Sequence, residues 1–302
     1  MSKNARSLLR KRENMVGWIC AFPAMFGFLF LDLIPMVASL YYSLSEYNAI
    51  GLPKFIGFSN YIRFFNGSDP AFLQSVKATL YYAVLSVPAY LIFAFCIALL
   101  LNRKMVGRTF FRAVFYLPSI VPAVASSFSW LLLMNPDFGL LNKLLSILGL
   151  PTSQWLWNSR SVIPAIVFMG IWGTGSTQVI FLAGLQSIPR VYYEAVDIDG
   201  GNSFQKLIHI TLPMISSTLF FNLVMGVIGG LQVFSQAYIM TDGGPNNASL
   251  FYIFYLWRNA FTYMKMGTAS AMAWLMFAVV IVLSALIFKT SNKWVYYESG
   301  DR

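Results

Sequence analysis

Between two strongly apolar stretches, the interval Tyr192 to Pro213, YYEAVDIDGGNSFQKLIHITLP, keeps a helical rhythm while carrying Glu194, Asp197, Asp199, Lys206 and His209. Side chains of these types can move protons, ligate metals or pair charges. His209 is the single histidine of the chain. A hydrolytic triad would need a nucleophile and an orienting acid converging on it, and the spacing supplies neither. As a metal ligand it lacks partners. No G-x-x-x-x-G-K-[ST] stretch offers a phosphate cradle, so if transport consumes ATP, another subunit must bind it. The chemistry left to this interval is mechanical: charges and apolar side chains on short helices that press against a partner.

A second set of polar groups lies inside apolar segments. GIWGTGSTQ carries Gly170, Gly173, Gly175, Ser176, Thr177 and Gln178, and GGLQVFSQ carries Gly230, Gln232 and Gln236. Small residues allow close helix contact. Amide side chains must find partners away from lipid, and Gln232 and Gln236, four apart, would share one helix face. Neutral hydrogen-bonding groups beside aromatic residues such as Trp172 and Phe234 suit a polyhydroxylated neutral solute. Gly173, Ser176, Thr177, Gln178, Gly230, Gln232 and Gln236 are therefore the candidate substrate path. Asp32, inside the first apolar run, should face a protein partner, water or the membrane interface, and a transport role is the rival reading.

The elements that position these groups follow from periodicity. Ala195 and Ile198 lie three apart, and Phe204, Leu207 and Ile208 repeat at i, i+3 and i+4, which predicts two short amphipathic helices. Gly200 and Gly201 permit a left-handed turn between them. Asn202 followed by Gln205 reads as a capping box, and Pro213 limits the second helix. Glu194 is expected near the start of the first helix, where it would stabilise exposed amides.

Apolar blocks long enough to cross a bilayer are expected at Trp18–Tyr42, Gln74–Leu101, Phe110–Met134, Val162–Leu185, Met214–Met240 and Thr268–Phe288. At 58% hydrophobic and 11% charged residues, this composition excludes an ordinary soluble domain. Cys20 and Cys96 fall within apolar blocks and read as small buried hydrophobes. The net charge of +10 is dispersed near span ends rather than gathered on one face, which argues against nucleic acid. Of the 21 lysines and arginines, 14 fall on one side of the six-span arrangement and 7 on the other, placing both termini and the Glu194 interval in the cytoplasm. The expected layout is a basic tail at 1–14, a six-span domain at 15–290 with its loop at about 190–213, and a tail at 291–302. A pore or secondary transporter and a membrane scaffold are the rivals to a transport subunit.

The Glu194 interval also resembles the loop of permease subunits in binding-protein-dependent ABC importers, which has the form E-A-A, three residues, G, nine residues, I-x-L-P. Glu194, Ala195, Gly200, Ile210, Leu212 and Pro213 match it, with the usual Asp199; Val196 replaces the second alanine and Gly201 stands where alanine is usual. YSLSEYN at 42–48, FIGFSNYIRFF at 55–65 and TDGGPNNAS at 241–249 resemble segments of the sugar-transporting branch. The similarity covers about residues 15 to 290 and looks most like the first of two unlike permeases carrying oligosaccharides, glycosides or glycerol phosphate esters.

The resemblance implies an all-α fold of six transmembrane helices of the type I importer kind, in a bacterial or archaeal cytoplasmic membrane. It implies a second unlike permease, two ATPase subunits holding ATP and Mg, and an extracellular or periplasmic solute-binding protein. No cofactor is expected on this chain. Glu194, Ala195, Ile198, Asp199, Gly200 and Gly201 would form the coupling element, and the substrate would contact the helices on either side of it.

Overall fold

The computed structural model describes the backbone of residues 3–296 and the side chains of residues 13–296. The basic side chains Lys3, Arg6, Arg10, Lys11 and Arg12, and the C-terminal residues from Tyr297, lie outside the described residues. Among the described residues the fold is all-α apart from one pair of two-residue strands. Among the described residues three helical runs are long and apolar enough to cross a membrane unbroken: Glu13–Ser43, Pro70–Asn102 and Met266–Ser291. Their 31, 33 and 26 residues exceed the ~20 that a bilayer core demands. Three further segments pass the same test as bent pairs, making up to six spans, as the apolar blocks predicted.

In chain order, α1 is Lys3–Gly27, and a π-helical turn at Phe28–Leu33 leads into α2, Ile34–Ser43. Strands β1 (Ser45–Glu46) and β2 (Lys54–Phe55) pair antiparallel before α3, Ser59–Phe65. Helix α4, Pro70–Asn102, runs through Pro88 without interruption, its first turn capped by the Asp69 carboxylate, which accepts from the Phe72 N–H. Helices α5 (Arg108–Tyr116) and α6 (Ala123–Leu133) meet at 98° across a 3₁₀ turn. Pro118 and Pro122 sit at that break and remove backbone donors there. The surface helix α7, Leu140–Ile147, is held by Asn142. Its amide donates to Pro136 O and Ser153 O and accepts from the Trp155 indole at 2.8 Å.

Helices α8 (Val162–Trp172) and α9 (Gly175–Ser187) bend by 51° at Gly173–Thr174. The next elements are α10 (Arg190–Ile198), α11 (Ser203–Lys206), a π turn at Leu207–Thr211 and α12 (Leu212–Met214). Helix α13, Ser216–Leu231, leaves the Ser203–Met214 segment at 66°. Helices α14 (Tyr252–Trp257) and α15 (Met266–Ser291) complete the order. The fifth apolar block, expected as one helix to Met240, stops at Leu231: Gln232–Phe234 are non-helical, and a π turn follows at Ala237–Thr241.

The chain divides into two compact units, Met1–Asn66 with Arg258–Met276, and Gly67–Trp257 with Phe277–Arg302. In the first, the YSLSEYN and FIGFSNY segments close on each other: Asn60 donates to Ser43 O at 2.9 Å and to Ser45 O at 3.1 Å, and Tyr61 OH donates to Ser43 Oγ. The Gly267 N–H donates to Tyr47 O at 3.0 Å, tying the start of α15 to the same segment. In the second unit α4 is the central helix, packed against α8, α9 and α13. Ala94, Ala98 and Leu101 of α4 form a dry cluster with Phe181, Leu182 and Leu185 of α9 and with Ile215.

Candidate coupling turn and polar path

Helix α10 starts after Pro189, whose fixed φ suits the entry and whose missing N–H costs nothing there. It ends in a Schellman arrangement. The Gly201 N–H donates to Val196 O at 2.8 Å and the Gly200 N–H to Asp197 O at 3.2 Å, with Gly200 at φ +73°. The left-handed corner expected at Gly200 is therefore formed. No atom lies within 4 Å of a Cβ built there, so a side chain would be opposed by backbone conformation alone.

Gly201 is different. A Cβ at that position would run into Val196 Cγ1 and stand 3.0 Å from Val196 O. The two departures from the alanine pattern are thus one structural event: valine at 196 fills the space that an alanine at 201 would need.

The second half opens with the predicted capping box. The Gln205 N–H donates to Asn202 Oδ1 at 2.9 Å, and Gln205 Oε1 accepts from the Asn202 N–H at 2.7 Å. Lys206 pairs with Asp197 across the corner. At the surface such a pair contributes only about 0.2–1 kcal/mol, so it trims the angle rather than making it. Tyr193 OH and Thr211 Oγ1 lie 3.0 Å apart, and Tyr193 and Ile210 pack against the α4–α9 cluster. The corner is therefore held from behind by the spans, while its front is open. Ile198 is 86% exposed and Phe204 68%. Glu194, Ala195, Asp199 and Gly200 are exposed and Gly201 is half-buried.

One expectation for this turn is corrected. Helix α10 begins at Arg190, so Glu194 is in its second turn, and no acidic residue occupies the first. Its carboxylate does not cap the amides of α10. It stands beside Ala195 on the exposed surface.

In the candidate path, Gly173 ends α8 at the 51° bend, Ser176 is exposed, Thr177 is half-buried and Gln178 is 2% exposed. Gly170 and Gly175 serve close packing: a Cβ on the first would overlap the Tyr90 hydroxyl, and one on the second would stand 2.7 Å from Phe115 O. Gly230 is buried with 3.4 Å between a built Cβ and Ala83. The shared helical face of Gln232 and Gln236 does not exist, because α13 ends at Leu231 and the backbone from Gln232 to Phe234 is non-helical. Gln232 is the exposed C-cap, and Gln236 is half-buried on the next helical turn.

Aromatic rings frame both places. Trp172 meets Trp130 edge-on at 6.1 Å, and Phe234 stacks on Tyr238 at 5.5 Å, with the Trp257 ring 5.0 Å from Tyr238.

His209 is exposed, with Nδ1 3.1 Å from Gln205 O, and among the described residues no three His, Cys, Asp or Glu side chains gather as metal ligands would. Cys20 and Cys96, expected to be buried, are exposed on helix surfaces of this chain. The Tyr193–Thr211 and Lys206–Asp197 ties could not be read from the sequence, because partners 18 and 9 residues apart meet only after the corner has formed.

The family described as "Binding-protein-dependent transport system inner membrane component" matches residues 71–295. Over 303 aligned residues the chain is 40% identical to a probable ABC transporter permease protein YesP of Bacillus subtilis (strain 168), covering 99% of this chain and 97% of that one. It is 33% identical over 294 residues to a trehalose/maltose transport system permease protein MalF of Thermococcus litoralis, covering 97% and 99% respectively. A chain in the crystal structure of a bacterial alginate ABC transporter, in complex with an alginate pentasaccharide-bound periplasmic protein, shares the fold with a TM-score of 0.83. Its identity is 22%, covering 93% of this chain and 96% of that chain.

Proposed function

This chain belongs to the family of binding-protein-dependent transport system inner membrane components, and from that premise we propose that it is a permease subunit of an ATP-driven importer for a sugar, oligosaccharide or related glycoside. The family membership sets aside the secondary transporter, channel and scaffold readings. The subunit forms half of the translocation path beside a second, unlike permease. Two ATPase subunits, which hold the ATP and Mg, seat the α10 corner, and an extracellular or periplasmic binding protein delivers the solute. Both termini and the corner are cytoplasmic, a reading supported by the 14-to-7 distribution of basic residues.

The observation that carries this reading is the corner itself: it is preorganised by a Schellman ending and a capping box, anchored to the spans through Tyr193 and Ile210, and left with an apolar, unsheltered front. A short helix presenting Ala195 and Ile198 fits a groove in a partner. Displacement of the corner would pass directly into α9 and α13, whose far ends lead into the polar path.

The solute class rests on relatives whose names specify trehalose/maltose, arabinooligosaccharides and lactose, and on the neutral character of the path. Ser176 and Gln232 are exposed and Thr177 and Gln236 half-buried, which leaves hydrogen-bonding groups open to a solute, and Gly173, Gln178 and Gly230 complete the candidate path. Binding-protein-dependent uptake of a panel of labelled sugars into reconstituted vesicles tests this. One or a few neutral saccharides should be carried, and Gln236→Leu should change uptake or solute preference without loss of ATPase assembly. Uptake of none of the sugars, with transport of an amino acid or inorganic ion instead, would overturn the solute class.

A further inference from the structure

The turn between α4 and α5 opens onto a cleft of about 790 Å³ whose lining includes Lys104, Arg108 and Arg190 and no acidic side chain. The amides of Asn102 and Gln186 and the phenol of Tyr193 complete its polar wall. The cleft lies where apolar helix gives way to charge. Helix α4 ends at Asn102, and the following RKMVGRTFF interleaves basic residues with Val106, Phe110 and Phe111, which are 98%, 66% and 40% exposed. One helical turn deeper than Arg108, two guanidinium nitrogens of Arg112, Nε and Nη2, are shielded from solvent with no hydrogen-bond partner. Arg112 is not among the residues that line the cleft, so it adds positive charge beside the site rather than a contact within it.

We infer that this cleft binds the phosphodiester headgroup of an anionic phospholipid, with Lys104, Arg108 and Arg190 around the phosphate. Basic pockets at the polar ends of spans are suited to such headgroups. The exposed valine and phenylalanines favour a lipid over a soluble anion, because they would lie among acyl chains and glycerol esters while the charges face the headgroup. An acidic surface of a protein partner would leave those apolar side chains in water. A lipid held here touches both the α4–α5 turn and α10, so it would brace the coupling corner against the bilayer. The inference rests on the membrane placement of α4 and α5 and not on the identity of the solute.

The test is native mass spectrometry of the full-length chain released from bilayer nanodiscs of equal phosphatidylglycerol and phosphatidylcholine. Phosphatidylglycerol should be retained in preference by about tenfold, on the order expected for two or more basic groups at a membrane surface. Lys104→Gln with Arg108→Gln should reduce the preference to near parity at unchanged yield and melting temperature. Lys104→Arg with Arg108→Lys, which keeps the charges, should preserve it. Equal retention of the two lipids by the unaltered chain, or an unchanged preference in the neutral variant, would overturn the site. Displacement of the lipid by millimolar inorganic phosphate would overturn the lipid assignment in favour of a soluble anion. Loss of ATPase co-purification in the neutral variant, with lipid preference intact, would assign the cleft to the ATPase instead. Because the readout is lipid retention, it is unaffected if the chain carries some other solute.

Discussion

At the scale of single residues, Gly200 is the most exacting position. Its φ of +73° is unfavourable for any side chain, with a penalty of roughly 1–2 kcal/mol, yet nothing occupies the space around it. Gly200→Val should therefore leave membrane insertion intact while shifting the corner proposed to meet the ATPase, with loss of ATPase docking or of solute-stimulated hydrolysis at equal permease levels. Glu194→Lys should damage the same steps by charge reversal on the exposed face of α10, now that a role in capping the helix is excluded by its place in the second turn. Co-purification of the ATPase with each variant is the check. Gly200 was readable from sequence because a glycine pair between two amphipathic repeats has few conformations open to it. The glutamines were less so. Four-residue spacing places Gln232 and Gln236 together only if the helix continues, and α13 ends at Leu231.

At the scale of elements, the α10–α11 corner was legible because its signals are local: periodicity, a capping box and a glycine end all lie within the same 22 residues. What holds it to the spans was not, since Tyr193–Thr211 depends on the geometry of the turn they bracket. The packing of Val196 on Gly201 gives this element a sharp test. Gly201→Ala should distort the corner because its Cβ meets Val196 Cγ1. Val196→Ala removes the Cγ1 clash and leaves only the tight 3.0 Å approach to the residue 196 carbonyl, so the double variant should recover most of the docking and thermal stability that Gly201→Ala loses. A double-mutant cycle on melting temperature measures the coupling, on the order of 0.5–3 kcal/mol for residues in contact. Additive losses would separate the two positions. The three bent spans belong to the same scale. Pro118 and Pro122 account for the sharpest bend, whereas the bend at Gly173–Thr174 lies in a sequence that reads as continuous helix.

At the scale of the whole molecule, six apolar segments were legible from composition and block length alone, since hydrophobic length is a direct physical requirement of the bilayer. Orientation is testable by single cysteines in a background lacking Cys20 and Cys96. Positions Asn48, Ser146, Ser203 and Asn247 are exposed and fall on the first, third, fourth and fifth connectors; Asn142 is unsuitable because its amide is buried in four hydrogen bonds. An impermeant reagent applied outside should label Asn48→Cys, Ser146→Cys and Asn247→Cys but not Ser203→Cys. Labelling of Ser203→Cys, with Ser146→Cys protected, would invert the arrangement.

The central claim, that the α10 corner is where this subunit meets its motor, is tested most directly at Ile198, whose side chain is 86% exposed in the chain alone. With Ile198→Cys in the purified importer, maleimide labelling should be rapid for the permease by itself and strongly suppressed once the ATPase subunits are bound, and a short thiol cross-linker should join the two chains. Equal labelling with and without bound ATPase, and no cross-linked product, would contradict the account.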